Sequence, residues 1–428
     1  MRTPNTIGAP KGISNKYLLL IDQTLLSVVN FGSVLLLSRI APVDVFGSFV
    51  VTYSYGYFIF IFCTLLLSAP ILIFLKKKWQ QQEGTYLIST LLLNIVLCIV
   101  LGLVAYFFLK TQISDISFLH FLALPLGMTL FDITKKFVFS SDAVHVKYGL
   151  LATILLNISF FGLLLYLMYG IDLDQVLEVY GISFMLAALV LMVIIFSTQT
   201  VRRSIKTTSV SIVQFTKKMI RTHFTYAKWI ILGGVAFWGY NQGIYILAKS
   251  FHVDDLIIGK VRTIQNLVGV FNILMITLEN HYTPIFSKHL SVENNTGLKQ
   301  RIKNVYAENY IKVLSLFVLA VPFGLGFYHF VYLEKYGSGT IIFVMFLLVQ
   351  LLLVAIKPIS IALKSIEKTI PFFVSHLFAV TVMVGVFPIL LYAKNGYTLA
   401  LTFLMANVTY AIYILVYYLK KKKSSNVL

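Results

Sequence analysis

Charge is scarce in this chain, and so is cysteine. Of its 428 residues, 12% are charged, 58% are hydrophobic and only two are Cys. So little charge leaves no room for a soluble domain beside the apolar bulk. Cys63 and Cys98 both fall inside apolar runs, where small packing residues are expected rather than a disulfide. Enzyme signatures are also missing: there is no Walker-type glycine loop, no HExxH, no paired-Cys motif, and no loop large enough to house a reaction. Acidic residues are the rarer sign, 16 against 35 Lys and Arg, for a formal charge of +19. In a soluble protein that excess would suggest nucleic acid. Its distribution here argues against a nucleic-acid partner.

Long apolar runs are abundant. Twelve can be marked, at 17–38, 45–75, 85–109, 117–140, 148–170, 177–198, 229–250, 256–281, 308–330, 339–362, 370–393 and 397–419. Nearly all exceed the roughly 20 residues needed to cross a hydrocarbon core of about 30 Å. Counting the gaps between runs from the N-terminus, 28 basic residues lie in or beside the N-terminal tail, the even-numbered gaps and the C-terminus. The odd-numbered gaps hold one each: Arg39, Lys110, Lys249, Lys335 and Lys394. Lys260 and Arg262 lie inside the eighth run. Basic loops stay cytoplasmic, so both termini are predicted inside. Lys76–Lys78 and Lys420–Lys423 end apolar runs, where they would anchor helices among anionic membrane lipids. The first sixteen residues are polar and lack a cleavable signal pattern, so the first run is expected to remain. The fold class predicted is an all-α polytopic membrane protein of twelve transmembrane helices.

The helices divide into two sets of six. The predicted lobes are 1–198 and 228–428, joined by a cytoplasmic linker, 199–227. In that linker Ile212, Phe215, Met219 and His223 recur at helical spacing, with Lys217, Lys218 and Arg221 facing away, which predicts a basic amphipathic helix on the inner leaflet. The two lobes open alike. Asn30-Phe31-Gly32, Arg39, Asp44 and Gly47 correspond to Asn241-Gln242-Gly243, Lys249, Asp255 and Gly259. Both segments begin on the same side, so the repeat is parallel, an arrangement that places substrate between lobes in transporters.

Polar side chains within the runs mark the candidate site, because in lipid they cost about 2.5–3.5 kcal/mol each for the charged ones and so face a cavity or another helix. On the eighth run, Gln265, Asn266, Gly269, Asn272, Asn280 and Thr283 fall within about 80° of Arg262, with Glu279 at the edge and Lys260 nearly opposite. The seventh run presents Gly234, Trp238, Asn241, Gln242, Tyr245 and Lys249 on one face. Rings beside amides suit sugar, whose C–H faces stack while its hydroxyls take hydrogen bonds. The first run offers Gln23, Ser27, Asn30 and Ser38, with Asp22 at the edge and Arg39 at the outer end. Arg39 could reach phosphate heads or the cavity mouth. Asp22 could favour the positive helix N-terminus or couple an ion. His376 and Lys312 are assigned to packing and anchoring. The residues alone thus predict a two-lobed secondary transporter or flippase with a partly cationic, aromatic-bearing cavity and no cofactor.

Asp22-Gln23, Ser27, Asn30-Phe31, Ser38-Arg39 and Phe46-Gly47 resemble the opening of O-antigen and polysaccharide flippases, the polysaccharide-transport branch of the multidrug/oligosaccharidyl-lipid/polysaccharide (MOP) exporter superfamily. The segment from Gly259 through Glu279-Asn280 to Pro284 resembles that family's eighth span, and the six-plus-six plan agrees over essentially the whole chain. Lys260-Val261-Arg262 departs from the family's less charged start of that span. The resemblance implies a MATE-like pair of bundles in a bacterial inner membrane. It would move an undecaprenyl-pyrophosphate-linked oligosaccharide from the inner to the outer leaflet, coupled to a proton or sodium gradient. Implied partners are the lipid-linked oligosaccharide, a polysaccharide polymerase and a chain-length regulator. Substrate contacts would come from Arg262, Gln265, Asn266, Asn272, Trp238, Gln242, Tyr245, Lys249, Asn30 and Arg39, with Asp22 and Glu279 as ion-coupling candidates. The alternatives are a multidrug exporter of the same superfamily, whose site should be richer in carboxylates, and a polysaccharide polymerase, which should carry a large outer loop.

Overall fold

The computed structural model describes residues 15–424, apart from 142–143, 167–171, 208–210, 366–369, 391–395 and most of 270–295, where only 271, 272, 274, 275, 278 and 282 are described. Helices account for almost all of it. The first half holds α1 (Asn15–Ile40), α2 (Val43–Cys63), a π-turn (Thr64–Ser68) running into α3 (Ala69–Lys78), α4 (Glu83–Lys110), α5 (Phe118–Ser140), α6 (Lys147–Tyr166) and α7 (Leu173–Ser197). After the short α8 (Gln199–Thr207), the second half holds α9 (Ile212–Asn241), α10 (Gly243–Ser250), α11 (Asp255–Val268), α12 (Thr296–Tyr336), α13 (Thr340–Ser365), α14 (Ile370–Leu390) and α15 (Gly396–Ser424).

The sequence dictates these helices by sustained apolarity and stops them with polar caps. The α7 helix starts in a capping box, Asp172 accepting from the Gln175 N–H while the Gln175 side chain reaches back. Asp254 caps α11 through the Leu256 N–H at 2.8 Å. Such caps satisfy amide groups that the first helical turn leaves without partners. Among the described residues, ten helices are long and apolar enough to cross a membrane, and α9 with α10 makes an eleventh. The eighth expected span appears as α11 over 14 residues; much of its remainder, including Glu279, Asn280 and Thr283, lies outside the described residues. The chain is a multi-pass, all-α membrane protein.

Three expectations need correction. The seventh span is not one straight helix: it bends by 47° between Asn241 and Gly243. Residues 212–227 do not form a separate helix, because they are the opening turns of α9. Their apolar face, Phe215, Met219 and His223, is buried against protein. The His223 ring meets the Tyr86 hydroxyl at 2.8 Å and the Leu66 carbonyl at 3.0 Å, while Phe215 packs on Trp79. Finally, Lys135 and Lys136, two of the 28 basic residues counted in or beside the even-numbered gaps, belong to α5.

Within the first half α5 packs along α7, and α6 joins α7 to α1; in the second, α15 lies between α13 and α14, and α9 packs on α14. The halves meet where α11 crosses α1 and α2. Small residues permit the α2–α11 crossing. A Cβ on Gly47 would come within 2.5–2.9 Å of the Asp255 side chain, and one on Gly259 within 3.1 Å of Phe46. These glycines correspond in the sequence repeat, and each admits a residue from the other half. The end of the bundle carrying the odd-numbered gaps is tied shut between halves. Tyr332 donates to the Leu35 carbonyl at 2.8 Å and Tyr336 to that of Ser38 at 3.1 Å; Gln112 donates to Ser250 at 2.8 Å. Lys335 donates to the Ala41 carbonyl.

Candidate functional site

Between the halves lies a cavity of about 330 Å³, walled by α1, α2, α5 and α7 on one side and α9, α11, α13 and α15 on the other. It collects Asn30, Gln242, Arg262, Gln265, Asn266 and Asn272 of the residues predicted from the sequence. Helical phase explains this: α11 turns one polar stripe toward the first lobe, and Asn266 donates across the interface to the Phe31 carbonyl at 2.9 Å.

Arg262 is the centre of the second lobe's wall. Its side chain is 8% exposed. One terminal nitrogen donates to the Gln242 side-chain oxygen at 2.9 Å and to that of Gln265 at 3.1 Å. Gln265 in turn accepts from the Tyr245 hydroxyl at 2.6 Å and donates to Asn241 at 3.1 Å. The guanidinium carbon stands 5.4 Å from the centre of the Tyr53 ring and 5.6 Å from that of Tyr245, within cation–π range. No carboxylate pairs with Arg262 among the described residues. Amides orient the guanidinium without cancelling its charge.

The remaining predicted residues sit elsewhere. Trp238 does not face the cavity; it fastens the halves together, donating to the Ser54 carbonyl at 2.7 Å and packing on Phe58. Tyr245 is buried behind Arg262 and acts through Gln265. Lys249 pairs with Asp255 at 2.7 Å at the odd-gap end. Arg39 is exposed at the same end, away from the cavity. Asp22 also lies off the cavity wall. Its helix already runs from Asn15, so it is about two turns in, beyond the reach of the helix-end field. It instead forms an almost fully buried ion pair with Lys135 at 2.8 Å and accepts from Thr153 at 2.6 Å.

Sequence reading missed the first lobe's charged wall. Lys135 and Asp132 on α5 line the cavity, beside Tyr53, Tyr57, Phe60 and Phe131. Asp132 pairs with Lys136 at 2.9 Å and accepts from Thr64 at 3.0 Å and from Ser68, both on the π-turn. The spacing Asp132–Lys136 is an i,i+4 pair, a signal that the sequence does carry. Tyr53 stacks on Tyr57 at 5.7 Å and Tyr57 on Phe60 at 5.6 Å, so α2 presents a ladder of rings. Gln350 and Asn407 add amides from α13 and α15.

By sequence, no protein-family model and no curated protein matches the chain. Solved structures do match. An outward-facing multidrug resistance MATE family transporter of the MOP superfamily superposes with TM-score 0.67, covering 96% of this chain and 97% of that one at 10% identity. An inward-facing structure of such a transporter gives 0.64, covering 97% and 95% at 10% identity. Lipid II flippase MurJ, in an inward closed conformation, gives 0.61, covering 94% and 87% at 13% identity. The chain shares the fold of these transporters and this flippase. Identities of 10–13% limit these likenesses to the fold.

Proposed function

We propose that the chain is a flippase that carries an undecaprenyl-pyrophosphate-linked oligosaccharide from the cytoplasmic to the outer leaflet of a bacterial inner membrane, for O-antigen or capsular polysaccharide assembly. The observation that carries this reading is Arg262. Asp22 and Asp132 are each neutralised by a neighbouring lysine, whereas the guanidinium has only amide and ring partners among the described residues. The cavity therefore holds an excess positive charge, which attracts a pyrophosphate and repels a cationic drug. Guanidinium donors in a fixed fork suit phosphate oxygens. The Tyr53–Tyr57–Phe60 ladder offers faces on which sugar rings stack. On this reading the odd-gap end faces outward, following the basic loops, and its interlobe hydrogen bonds close the outer side. The lipid tail stays in the bilayer while the head group enters between lobes. Transport draws on a proton or sodium gradient, with Asp22 and Glu279 as its candidate sites. A polymerase and a chain-length regulator would act on the flipped product.

One observation favours the other reading, a multidrug exporter: Asp132 puts a carboxylate on the cavity wall. Deleting the gene separates the two. A flippase deletion should accumulate lipid-linked repeat units on the inner leaflet and lose surface polysaccharide. Normal surface polysaccharide combined with new sensitivity to cationic drugs would replace this reading with the exporter.

A further inference from the structure

The two oxygens of Asp132 are not equivalent. Lys136, Thr64 and Ser68 all donate to Oδ2. Among the described residues Oδ1 accepts no hydrogen bond. The Asp132 side chain is 22% exposed and lines the cavity. Three donors on one oxygen fix the orientation of the carboxylate and leave the other oxygen free to accept. The backbone contributes to this. The π-turn at Thr64–Ser68 sets both hydroxyls toward α5, and such turns often mark functional positions.

The same face of α2 links this acceptor to Arg262. Positions 53, 57, 60, 64 and 68 recur at intervals of four, three, four and four, so they share one side of the helix. Tyr53 lies beside Arg262; Thr64 and Ser68 hold Asp132. Tyr57 lies between them on this face and stacks on Tyr53 and Phe60. Eleven residues separate Tyr53 from Thr64, a rise of about 16 Å along the axis. The cavity is thus bipartite, with a cationic group at one end, rings between, and a fixed anionic acceptor at the other.

We propose that Asp132 Oδ1 is a sugar-binding subsite that accepts hydrogen bonds from hydroxyls of the oligosaccharide while its phosphate lies at Arg262. This rests on the flippase reading and adds which wall reads the glycan. Among the described residues, the Asp132 end offers a phosphate no unpaired cation, because Lys136 is bound to Asp132 and Lys135 to Asp22. A hydroxyl-bearing ring satisfies it, donating to the carboxylate with its C–H face on Tyr57.

The test compares two ligands on the purified full chain in nanodiscs: a polyprenyl pyrophosphate carrying the oligosaccharide, and the same polyprenyl pyrophosphate without sugar. A hydrogen bond to a charged acceptor predicts that Asp132→Asn weakens binding of the glycosylated lipid roughly tenfold or more. Binding of the sugar-free lipid should stay within about twofold, which also reports that the variant is folded. Asp132→Glu keeps the charge that Lys136 requires and moves the acceptor by one methylene, so it should show the same selective loss. Equal loss for both ligands, or no loss for either, overturns the subsite while leaving the flippase reading intact. Loss of binding to a quaternary ammonium dye in Asp132→Asn, with the glycosylated lipid unaffected, would make the site one for cations. If the unmodified protein binds neither lipid, the flippase reading fails and the subsite with it.

Discussion

Replacing Arg262 by alanine should abolish transport at normal protein levels, and the structure sets the size of the effect. The guanidinium is held by Gln242 and Gln265 and faced by Tyr53 and Tyr245. Each charge-assisted hydrogen bond it makes to a phosphate is worth roughly 1.5–3 kcal/mol. Losing two costs about 3 kcal/mol at least, on the order of a hundredfold in affinity. The cost to folding is smaller. Gln265 keeps the Tyr245 hydroxyl at 2.6 Å, so only the Gln242 oxygen is deprived, and water in the cavity can replace the donor. That places the folding loss near the low end, about 1 kcal/mol. Arg262→Lys should be intermediate, retaining charge but losing the flat, forked donor set. Lys260 is the internal control. It donates to the Ser338 carbonyl at 3.4 Å, away from the cavity, so Lys260→Ala should be tolerated. Complementation of a deletion strain decides, with surface polysaccharide on gels and protein level by membrane immunoblot. Full function in Arg262→Ala at wild-type abundance would refute the reasoning and remove this wall from the substrate path.

Three further outcomes are expected. Breaking the buried Asp22–Lys135 pair from one side should destabilise the protein by about 3–5 kcal/mol; the double variant Asp22→Asn/Lys135→Met should recover much of this, read as thermal stability in detergent. Gly47→Val places side-chain atoms where Asp255 already lies, so it should disfavour closure of the odd-gap end; a cysteine at Asn30 should then react faster with an impermeant maleimide from that side. For topology, single cysteines at Asp172 and Ser338 should react with the same reagent added to intact cells, while cysteines at Gln81 and Ser211 should not. Reversed labelling would invert the orientation.

The sequence disclosed the fold because lipid imposes a plain rule: a helix that crosses must be apolar over most of its length. It also pointed to Arg262, Gln265, Asn266 and Asn272, four polar residues on one helical phase, and these line the cavity. What it hid depends on contacts between distant segments. Nothing local shows that Trp238 donates to a carbonyl at position 54, or that Lys249 folds back to Asp255. Asp132 and Lys135 escaped notice because they sit near the end of an apolar run, where charges ordinarily reach water. Only the packing of α1, α2 and α6 around α5 reveals that these charges are enclosed and paired within the protein. The bend at Gln242 was hidden for a similar reason. Asn241, Gln242 and Gly243 read as a polar face on a continuous helix, whereas the helix breaks there and turns Gln242 to Arg262 and Asn241 to Gln265.

The central claim is most directly tested by translocation in reconstituted vesicles. Purified protein would be placed in liposomes with a fluorescent polyprenyl-pyrophosphate oligosaccharide, and the fraction reachable by a membrane-impermeant quencher followed over time. The account predicts that wild-type protein renders the inner-leaflet pool quenchable, and that Arg262→Ala leaves it protected at the level of protein-free vesicles. Equal rates for wild type, Arg262→Ala and protein-free vesicles, with a cationic dye transported instead, would contradict it.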